Sequence, residues 1–166
     1  MTDISSTAPA GHVLKAEEGT AIWFLGSLVT VKVDGAHTRQ KLTILDFVNP
    51  PGFAPPVHRH LMEDEVFYVI SGRARFECDG TLFDAEPGDT VFLPIGSKHT
   101  FVVGIEEPFH TLQITVPAGF EEFTAEAGTP AAERVLPEPG PVDPAALAAA
   151  AARHNIEIIG PPPASL

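Results

Sequence analysis

The sequence has one cysteine, few basic residues and no long apolar run, and each shortage disfavours a class of protein. Its single cysteine, Cys78, cannot form a disulfide within the chain, which is compatible with a reducing compartment. Only 10 Lys and Arg residues stand against 22 Asp and Glu residues, for a formal net charge of −12. This negative excess repels phosphate backbones and anionic lipids, so neither nucleic acid nor a membrane surface is expected as a partner.

The composition is that of a globular protein. The chain has 166 residues, of which 44% are hydrophobic and 19% charged, which suits one domain with a buried core. No apolar run approaches the roughly 20 residues that span a bilayer. The first residues, MTDISSTAPA, lack both the basic and the apolar region of a secretory signal. We therefore expect a cytoplasmic protein.

Short β-type runs alternate with turn residues between residues 21 and 116. LVTVKV, EVFYVIS and FHTLQITV are examples, and Gly-containing pairs separate several of the runs. The pair Asp79-Gly80 indicates a tight hairpin, because a type I′ turn needs two residues that tolerate positive φ. This pattern predicts an all-β sandwich or barrel.

The chain divides into three segments by composition. We expect a disordered N-terminus over residues 1–10 and a β-barrel domain over residues 11–128. Residues 129–166 should form a proline-rich linker, a helix and an extended tail. Helical spacing and capping residues predict one helix over 118–128 and another over 143–155.

A candidate metal site begins with two histidines in one predicted strand. His58 and His60 are two residues apart, so both face the same side of the strand, with Cα atoms roughly 6.6 Å apart. Glu65 opens the next run and would share that interior if the two strands pair. Glu63 and Asp64 compete for the carboxylate role, but we expect them to form a solvated turn.

A second segment would bring His99 to the same interior. Three imidazoles and one carboxylate suit Ni, Mn, Fe, Co, Cu or Zn, and the set is too rich in nitrogen for Ca or Mg. We therefore predict one divalent transition-metal ion. The remaining histidines are expected on the surface, with a place at the pocket rim as an alternative for His110; they are His12, His37, His110 and His154.

At the level of motifs the chain resembles the cupins. Residues 52–72 match the first cupin motif at Gly52, His58, His60, Glu65 and Gly72. Residues 88–103 match the second motif at Gly88, Pro94, Gly96 and His99. The last position of that motif, usually Asn, is Val103 here, which should make the cavity drier. The resemblance implies a cupin-type antiparallel jelly-roll barrel with short C-terminal helices and the metal inside.

The side chains expected around the metal are apolar. No Lys or Arg is evidently aimed inward, which counts against sugar phosphates and other anionic substrates. Phe120 and Phe123 would lie over the barrel mouth as a lid. The predicted pocket residues favour an apolar or aromatic ligand and are Phe53, Phe67, Val69, Phe76, Phe101, Val103, Phe120 and Phe123.

Within the cupins the chain is similar to bacterial quercetin 2,3-dioxygenase-like proteins. The similarity lies in GTAIWFLGSLVTV, PAGFEEF and the tail IEIIGPPP. It implies a metal-dependent dioxygenase of a flavonol-like or enolisable small molecule, with dioxygen as co-substrate and Glu65 as the catalytic base. The alternatives are a non-redox metal enzyme, such as an isomerase, cyclase or lyase, and a cupin that binds a small molecule without turnover.

The strand EVFYVIS is apolar on both faces, more than one barrel interior can use. Val66, Tyr68 and Ile70 would need cover from the N-terminal strands, the tail or a second subunit. We expect a homodimer.

Overall fold

A computed structural model describes residues 10–166 of the chain. The prediction made for residues 1–10 therefore falls almost wholly outside the described residues. The described part contains three helices: α1 (Gly35–Thr38), α2 (Phe120–Ala127) and α3 (Pro144–Arg153). Its strands are β1 (Thr20–Phe24), β2 (Ser27–Val33), β3 (Thr43–Asn49), β4 (Val57–His60), β5 (Asp64–Ser71), β6 (Ala74–Cys78), β7 (Thr81–Ala85), β8 (Thr90–Leu93), β9 (His99–Val103), β10 (Phe109–Val116), β11 (Thr129–Pro130) and β12 (Ile156–Gly160).

The strands form two antiparallel sheets that enclose the core. The larger sheet has seven strands in the order β11-β1-β2-β3-β10-β5-β8, and the smaller has five in the order β12-β4-β9-β6-β7. Non-consecutive neighbours such as β3 and β10 show that the chain crosses between the sheets rather than forming simple meanders. The prediction of an all-β jelly roll with short C-terminal helices is confirmed.

Local sequence explains the turns and helix ends. At the β6–β7 hairpin, Asp79 and Gly80 have φ values of 48° and 83°, as a type I′ turn requires. At the start of α3, the Asp143 side chain accepts hydrogen bonds from two backbone N–H groups, and Pro144 occupies the first helical position. None of the helices within residues 10–166 is long and apolar enough to cross a bilayer.

Two hydrophobic clusters fill the interior. The inner cluster lies between the strands of the barrel, with Phe76 at its centre, and consists of Phe67, Val69, Ala74, Phe76, Ala85, Val91, Leu93, Phe101, Val103 and Phe109. The flanking cluster joins the N-terminal hairpin to the C-terminal elements and consists of Ile22, Phe24, Val29, Leu45, Phe47, Phe120, Phe123, Leu147, Ala150, Ala151 and Ile156. The candidate site lies where the two clusters meet.

The C-terminal tail is more closely integrated than the expected division of the chain suggests. Strand β12 pairs with β4, placing Ile156 opposite His60 and Ile158 opposite His58. The backbone N–H of Leu61 also donates to the Asn155 carbonyl at 2.8 Å. The tail is thus an edge strand of the smaller sheet. Its residue Ile156 is also a buried member of the flanking cluster.

The outer face of β5 stays largely uncovered in the described chain. Tyr68 and Ile70 are 45% and 40% exposed. Neither the N-terminal strands nor the tail covers these two side chains within the described residues.

Candidate metal centre and its cavity

Three strands position the four candidate ligands. His58 and His60 lie on β4, and the sheet register places His58 directly opposite His99 of β9. Glu65 lies near the start of β5, only a short turn after His60. Because residues two apart on a strand share a face, both β4 imidazoles reach the barrel interior, where His99 and Glu65 also point.

The four side chains converge on one point. One ligand atom from each of His58, His60, Glu65 and His99 lies within 4.8 Å of all the others. The Nε2 atom of His99 is 3.1 Å from Glu65 Oε2, and that of His60 is 3.6 Å from Glu65 Oε1. The group therefore has the compactness of a mononuclear metal site.

Backbone carbonyls fix the tautomers of two of the imidazoles. His58 Nδ1 lies 2.8 Å from the Pro56 carbonyl oxygen, and His99 Nδ1 lies 3.0 Å from that of Ser97. A carbonyl can only accept, so each Nδ1 carries the hydrogen. In the neutral ring, Nε2 then presents a lone pair to the centre, which is the form that ligates a metal.

Glu63 does not lie in a solvated turn, contrary to expectation. Its side chain is 6% exposed, and one of its carboxylate oxygens accepts from His60 Nδ1 at 2.7 Å. The turn folds the residue inward against Gly119, where an added Cβ would come within 3.1 Å of the Glu63 carboxylate. Asp64 behaves differently: it accepts from the Ile95 backbone N–H at 2.8 Å and braces the turn that precedes His99.

The unpartnered atoms at the centre indicate that a cation fits there. His60 Nε2, His99 Nε2 and Glu65 Oε2 are buried and have no hydrogen-bond partner within the described chain. Lone pairs of a neutral imidazole and a carboxylate only 3.1 Å apart repel unless a positive charge lies between them. Nitrogen-rich donors of this kind suit a divalent transition metal, so the residues present fit the predicted ion.

The shifted pKa values follow from burial and proximity. Burial, followed by the charges of His99 and His60, lowers the pKa of His58 to about 3. For Glu65, burial works in the opposite sense, but the three neighbouring histidines, His60 most strongly, outweigh it and hold its pKa at about 2. Burial also disfavours protonation of His60, yet Glu65 and Glu63 outweigh it and raise the pKa of His60. A metal at His60 Nε2 requires the neutral ring, so metal binding would compete with protonation of His60.

An apolar cavity of about 60 Å³ adjoins the ligand set. His58, Glu65 and His99 border it, and Asn49 and Gln113 supply its other polar side chains. Its remaining lining is aliphatic, aromatic or proline: Phe24, Leu25, Phe47, Phe53, Pro55, Pro56, Phe67, Phe101, Phe120, Phe123, Leu147, Ile156 and Ile158.

Five of the eight predicted pocket residues line this cavity: Phe53, Phe67, Phe101, Phe120 and Phe123. The other three, Val69, Phe76 and Val103, are buried in the inner cluster and lie outside the lining. The alternation of the strands places them inward, but the barrel is filled with side chains at that level. A side chain that points into the barrel therefore does not always reach the cavity.

Sequence reasoning missed Gln113 and the contribution of the tail. Gln113 lies on β10, is 5% exposed and donates from Nε2 to Glu65 Oε1. A polar residue at an inward position of FHTLQITV was the available signal. Leu147, Ile156 and Ile158 carried no such signal, because their arrival at the cavity depends on a long-range pairing.

The Lys and Arg side chains lie away from the cavity, as expected. Arg59 pairs with Glu157 and Arg75 pairs with Asp84, each at 2.7 Å and on exposed side chains. No Lys or Arg is among the residues that line the cavity in the described chain. His110 lies outside the lining and contacts Asp46 at 3.0 Å on a half-buried strand surface. The cavity thus offers no permanent positive side chain to an anionic ligand.

The fold and the site together define a class: a β-barrel with a candidate metal centre of three histidines and one carboxylate. Residues 46–115 match the family model described as a cupin domain. The chain therefore contains a cupin domain.

One curated relative is an enzyme. Quercetin 2,3-dioxygenase of Bacillus subtilis is 24% identical over 150 residues, which cover 89% of this chain and 42% of that protein. The chain spans less than half the length of the curated relatives it matches.

Solved structures share the architecture. A predicted oxalate decarboxylase from Thermotoga maritima has a TM-score of 0.59 at 18% identity, over 64% of this chain and 99% of that one. The nucleoside dehydratase Pac13 has a TM-score of 0.55 at 17% identity, over 68% and 88% of the two chains. At these identities the likeness shows the fold alone, because one fold can serve more than one chemistry.

Proposed function

We propose that the protein is a metal-dependent dioxygenase of a neutral, apolar or aromatic small molecule with an acidic hydroxyl, either flavonol-like or enolisable. The observation that carries the proposal is the convergence of His58, His60, Glu65 and His99 beside a cavity with otherwise apolar walls. The similarity to quercetin 2,3-dioxygenase supports it, because the aligned region extends well beyond residues 46–115 into both flanks.

The three histidines and Glu65 would hold the ion. A bound transition metal supplies Lewis acidity and, where it is redox-active, a path for electrons to dioxygen. Glu65 is the one carboxylate that lines the cavity in the described chain, so it is the group placed to accept the proton of a substrate hydroxyl. Dioxygen would be the oxidant, and both of its atoms would end in the product.

The apolar walls would select the substrate. Without a Lys or Arg in the lining, a phosphate or carboxylate would lose its hydration and gain no partner other than the ion itself. Phe53 and Phe101 lie with ring centroids 5.9 Å apart and offer aromatic surface to a planar ligand. These features favour a neutral ring system over a sugar phosphate or a keto acid.

Entry of a substrate requires the cavity to open. Its volume of about 60 Å³ is well below the roughly 300–1,000 Å³ of ordinary ligand pockets. The walls contributed by α2 and α3 come from helices, which can shift without breaking the hydrogen bonds between strands. We therefore include in the proposal an opening motion in which Phe120 and Leu147 leave the cavity.

The test combines metal analysis with oxygen uptake. Freshly purified protein should contain close to one transition-metal ion per chain, and protein reloaded with Fe, Mn, Co, Ni or Cu should consume dioxygen with a flavonol or a smaller 1,3-diketone. Glu65→Gln should retain part of the metal and lose oxygen uptake, whereas the exposed control Glu122→Gln should match the parent.

Two results would redirect the proposal. Zinc as the native ion, with conversion of a substrate but no oxygen uptake, would favour the non-redox alternative. Tight ligand binding without any product would favour a binding protein. Absence of metal from the parent under every loading condition would overturn the metal site itself.

The proposal includes a homodimer in the cytoplasm. The exposed apolar face of β5, with Tyr68 and Ile70, supports the dimer, since such a surface is usually covered. Sedimentation velocity of the parent and of Tyr68→Glu would test it, and a parent that sediments as a monomer would contradict it.

A further inference from the structure

Gln113 lies beside the proposed metal centre without being one of its ligands. It occupies an inward position of β10, where the sheet register sets it opposite Phe67 and sets Thr115 opposite Glu65. Gln113 is therefore a diagonal neighbour of Glu65 on the same face of the sheet, close enough for two long side chains to meet. They do meet: Gln113 Nε2 donates to Glu65 Oε1.

Because of this contact, the two oxygens of the Glu65 carboxylate have different surroundings. Oε1 accepts the amide hydrogen bond, whereas Oε2 has no hydrogen-bond partner within residues 10–166 and lies 3.1 Å from His99 Nε2. A carboxylate can rotate about its last bond unless a contact to one of its oxygens restrains it. Here the Gln113 amide does so, because rotation would break a buried hydrogen bond.

Each imidazole has a comparable support on the side away from the centre. Backbone carbonyls hold His58 and His99, and the Glu63 carboxylate holds His60. Glu65 would lack such a support without Gln113. The neighbouring inward residue Thr111 is fully buried, but its hydroxyl has no hydrogen-bond partner in the described chain, so a polar inner face of β10 does not in itself produce the contact.

We infer that Gln113 is a positioning residue that holds Glu65 so that a single oxygen, Oε2, faces the metal and the substrate. The inference rests on the proposed function, since it assumes a metal at the four ligands. It implies ligation through one carboxylate oxygen, with Oε1 kept away from the ion. Gln113 acts only through Glu65 and is not itself a ligand.

Cobalt(II) alone is the probe that tests this inference. Gln113→Met keeps the length of the side chain and removes the amide. We expect its Co(II) affinity to fall by about 10-fold, the lower end of the effect of removing an outer partner of a metal ligand. We also expect the visible Co(II) spectrum to change in intensity, because a freed carboxylate can bind through both oxygens and alter the coordination number. The matched control Thr111→Val, on the same strand face, should keep the parental affinity and spectrum.

A second comparison separates positioning from a general effect on packing. In a Glu65→Ala background, Gln113→Met should change Co(II) affinity little further, because the partner through which Gln113 acts is gone. If Gln113→Met does not fold, as judged by circular dichroism of the metal-free protein, Gln113→Asn gives the same readouts with an amide too short to reach.

The outcomes test the role of Gln113 separately from the existence of the metal centre. A parent that binds Co(II), with a Gln113 variant of identical affinity and spectrum, would overturn the role of Gln113 alone. An equal loss of affinity with and without Glu65 would also overturn it, since the effect would then be structural. A parent that binds no Co(II) would overturn both this inference and the proposed metal centre.

Discussion

The two hydrophobic clusters meet at the candidate metal centre but differ in origin. Every buried member of the inner cluster lies within the region that matches the cupin domain. In the flanking cluster, Phe47 is the one buried member inside that region, and the others come from the N-terminal hairpin, the start of β3, α2, α3 and β12. The matched region thus supplies the candidate ligands and a filled barrel, whereas segments outside it form part of the cavity wall.

The difference also appears in what each cluster contacts. Phe76 of the inner cluster is surrounded by other rings, with Phe101 at 5.0 Å and Phe83 at 5.8 Å between centroids. Phe120 of the flanking cluster lies 5.3 Å from the ring of the candidate ligand His60. Changes at inner-cluster residues outside the cavity lining, such as Phe76, should therefore act on stability, and changes at flanking-cluster residues in the lining should act on access to the site.

The largest effect is expected from Phe76→Ala. Phe76 is fully buried in a closely packed core, so its truncation should lower the free energy of unfolding by about 3–5 kcal/mol. Chemical denaturation monitored by circular dichroism would measure this loss. Co(II) affinity of the folded fraction should stay at the parental value, and a large drop would contradict the separation of the inner cluster from the site.

Leu147→Ala should cost less, about 2 kcal/mol, at the low end for a buried leucine. Leu147 lies on α3 at the cavity wall, so its side chain already borders empty space and has fewer packing contacts to lose. The same variant should bind a neutral aromatic probe such as 1-naphthol more tightly than the parent, because the cavity is larger. Calorimetry on the Co(II)-loaded proteins would show this. A loss equal to that of Phe76→Ala, with no gain in binding, would mean that the wall is as rigid as the barrel.

Glu63→Gln tests the support of a ligand rather than its packing. The amide can still accept from His60 Nδ1 but lacks the charge, so we expect Co(II) affinity to fall about 10-fold. Metal-free stability should change little by comparison. Glu122→Gln, at an exposed position of α2, is the control. Unchanged affinity in Glu63→Gln would reduce Glu63 to a structural residue.

The smallest effect is expected in the pH dependence of the metal-free protein. His58 has a pKa of about 3 in the folded state against an ordinary value of 6.5. The unfolded chain therefore binds a proton that the folded chain does not, and this contribution to stability is present above pH 6.5 and lost as the pH falls toward 3. Between pH 6.5 and about pH 5 the loss should be on the order of 1 kcal/mol.

His58→Asn should flatten this slope, whereas the exposed control His37→Asn should not. His60 does not obscure the result: its raised pKa gives a contribution that is complete below 6.5 and is lost as the pH rises through its folded-state value. The lowered pKa of Glu65 acts only below 4.5. Denaturant titrations in a chelator at the two pH values would measure the difference, and equal slopes in the parent and His58→Asn would contradict the assignment.

Much of the fold could be predicted because local signals agreed with the final structure. Asp79-Gly80 forms the expected turn, and Asp143 and Pro144 begin the expected helix, since each acts through its own backbone. The convergence of His58, His60, Glu65 and His99 could be anticipated because the spacing within each motif fixes a strand and its facing side.

The remainder depended on distances that sequence spacing does not contain. Glu63 is acidic and sits in a turn, and only the inward fold of that turn shows that it is buried against His60. Val69 and Val103 face inward as expected, yet the depth of the cavity, which excludes them, follows from the packing of the rings around them. The pairing of Ile156 with His60 joins segments far apart in the chain and left no local trace.

That pairing has a consequence for the order of events during synthesis. Strand β4 carries two of the four candidate ligands, and its neighbour on one side, β12, is made long after it. Until β12 emerges from the ribosome, the backbone that carries His58 and His60 has one open edge. A nascent chain should therefore hold metal only loosely, and secure loading should begin once the C-terminal strand has docked.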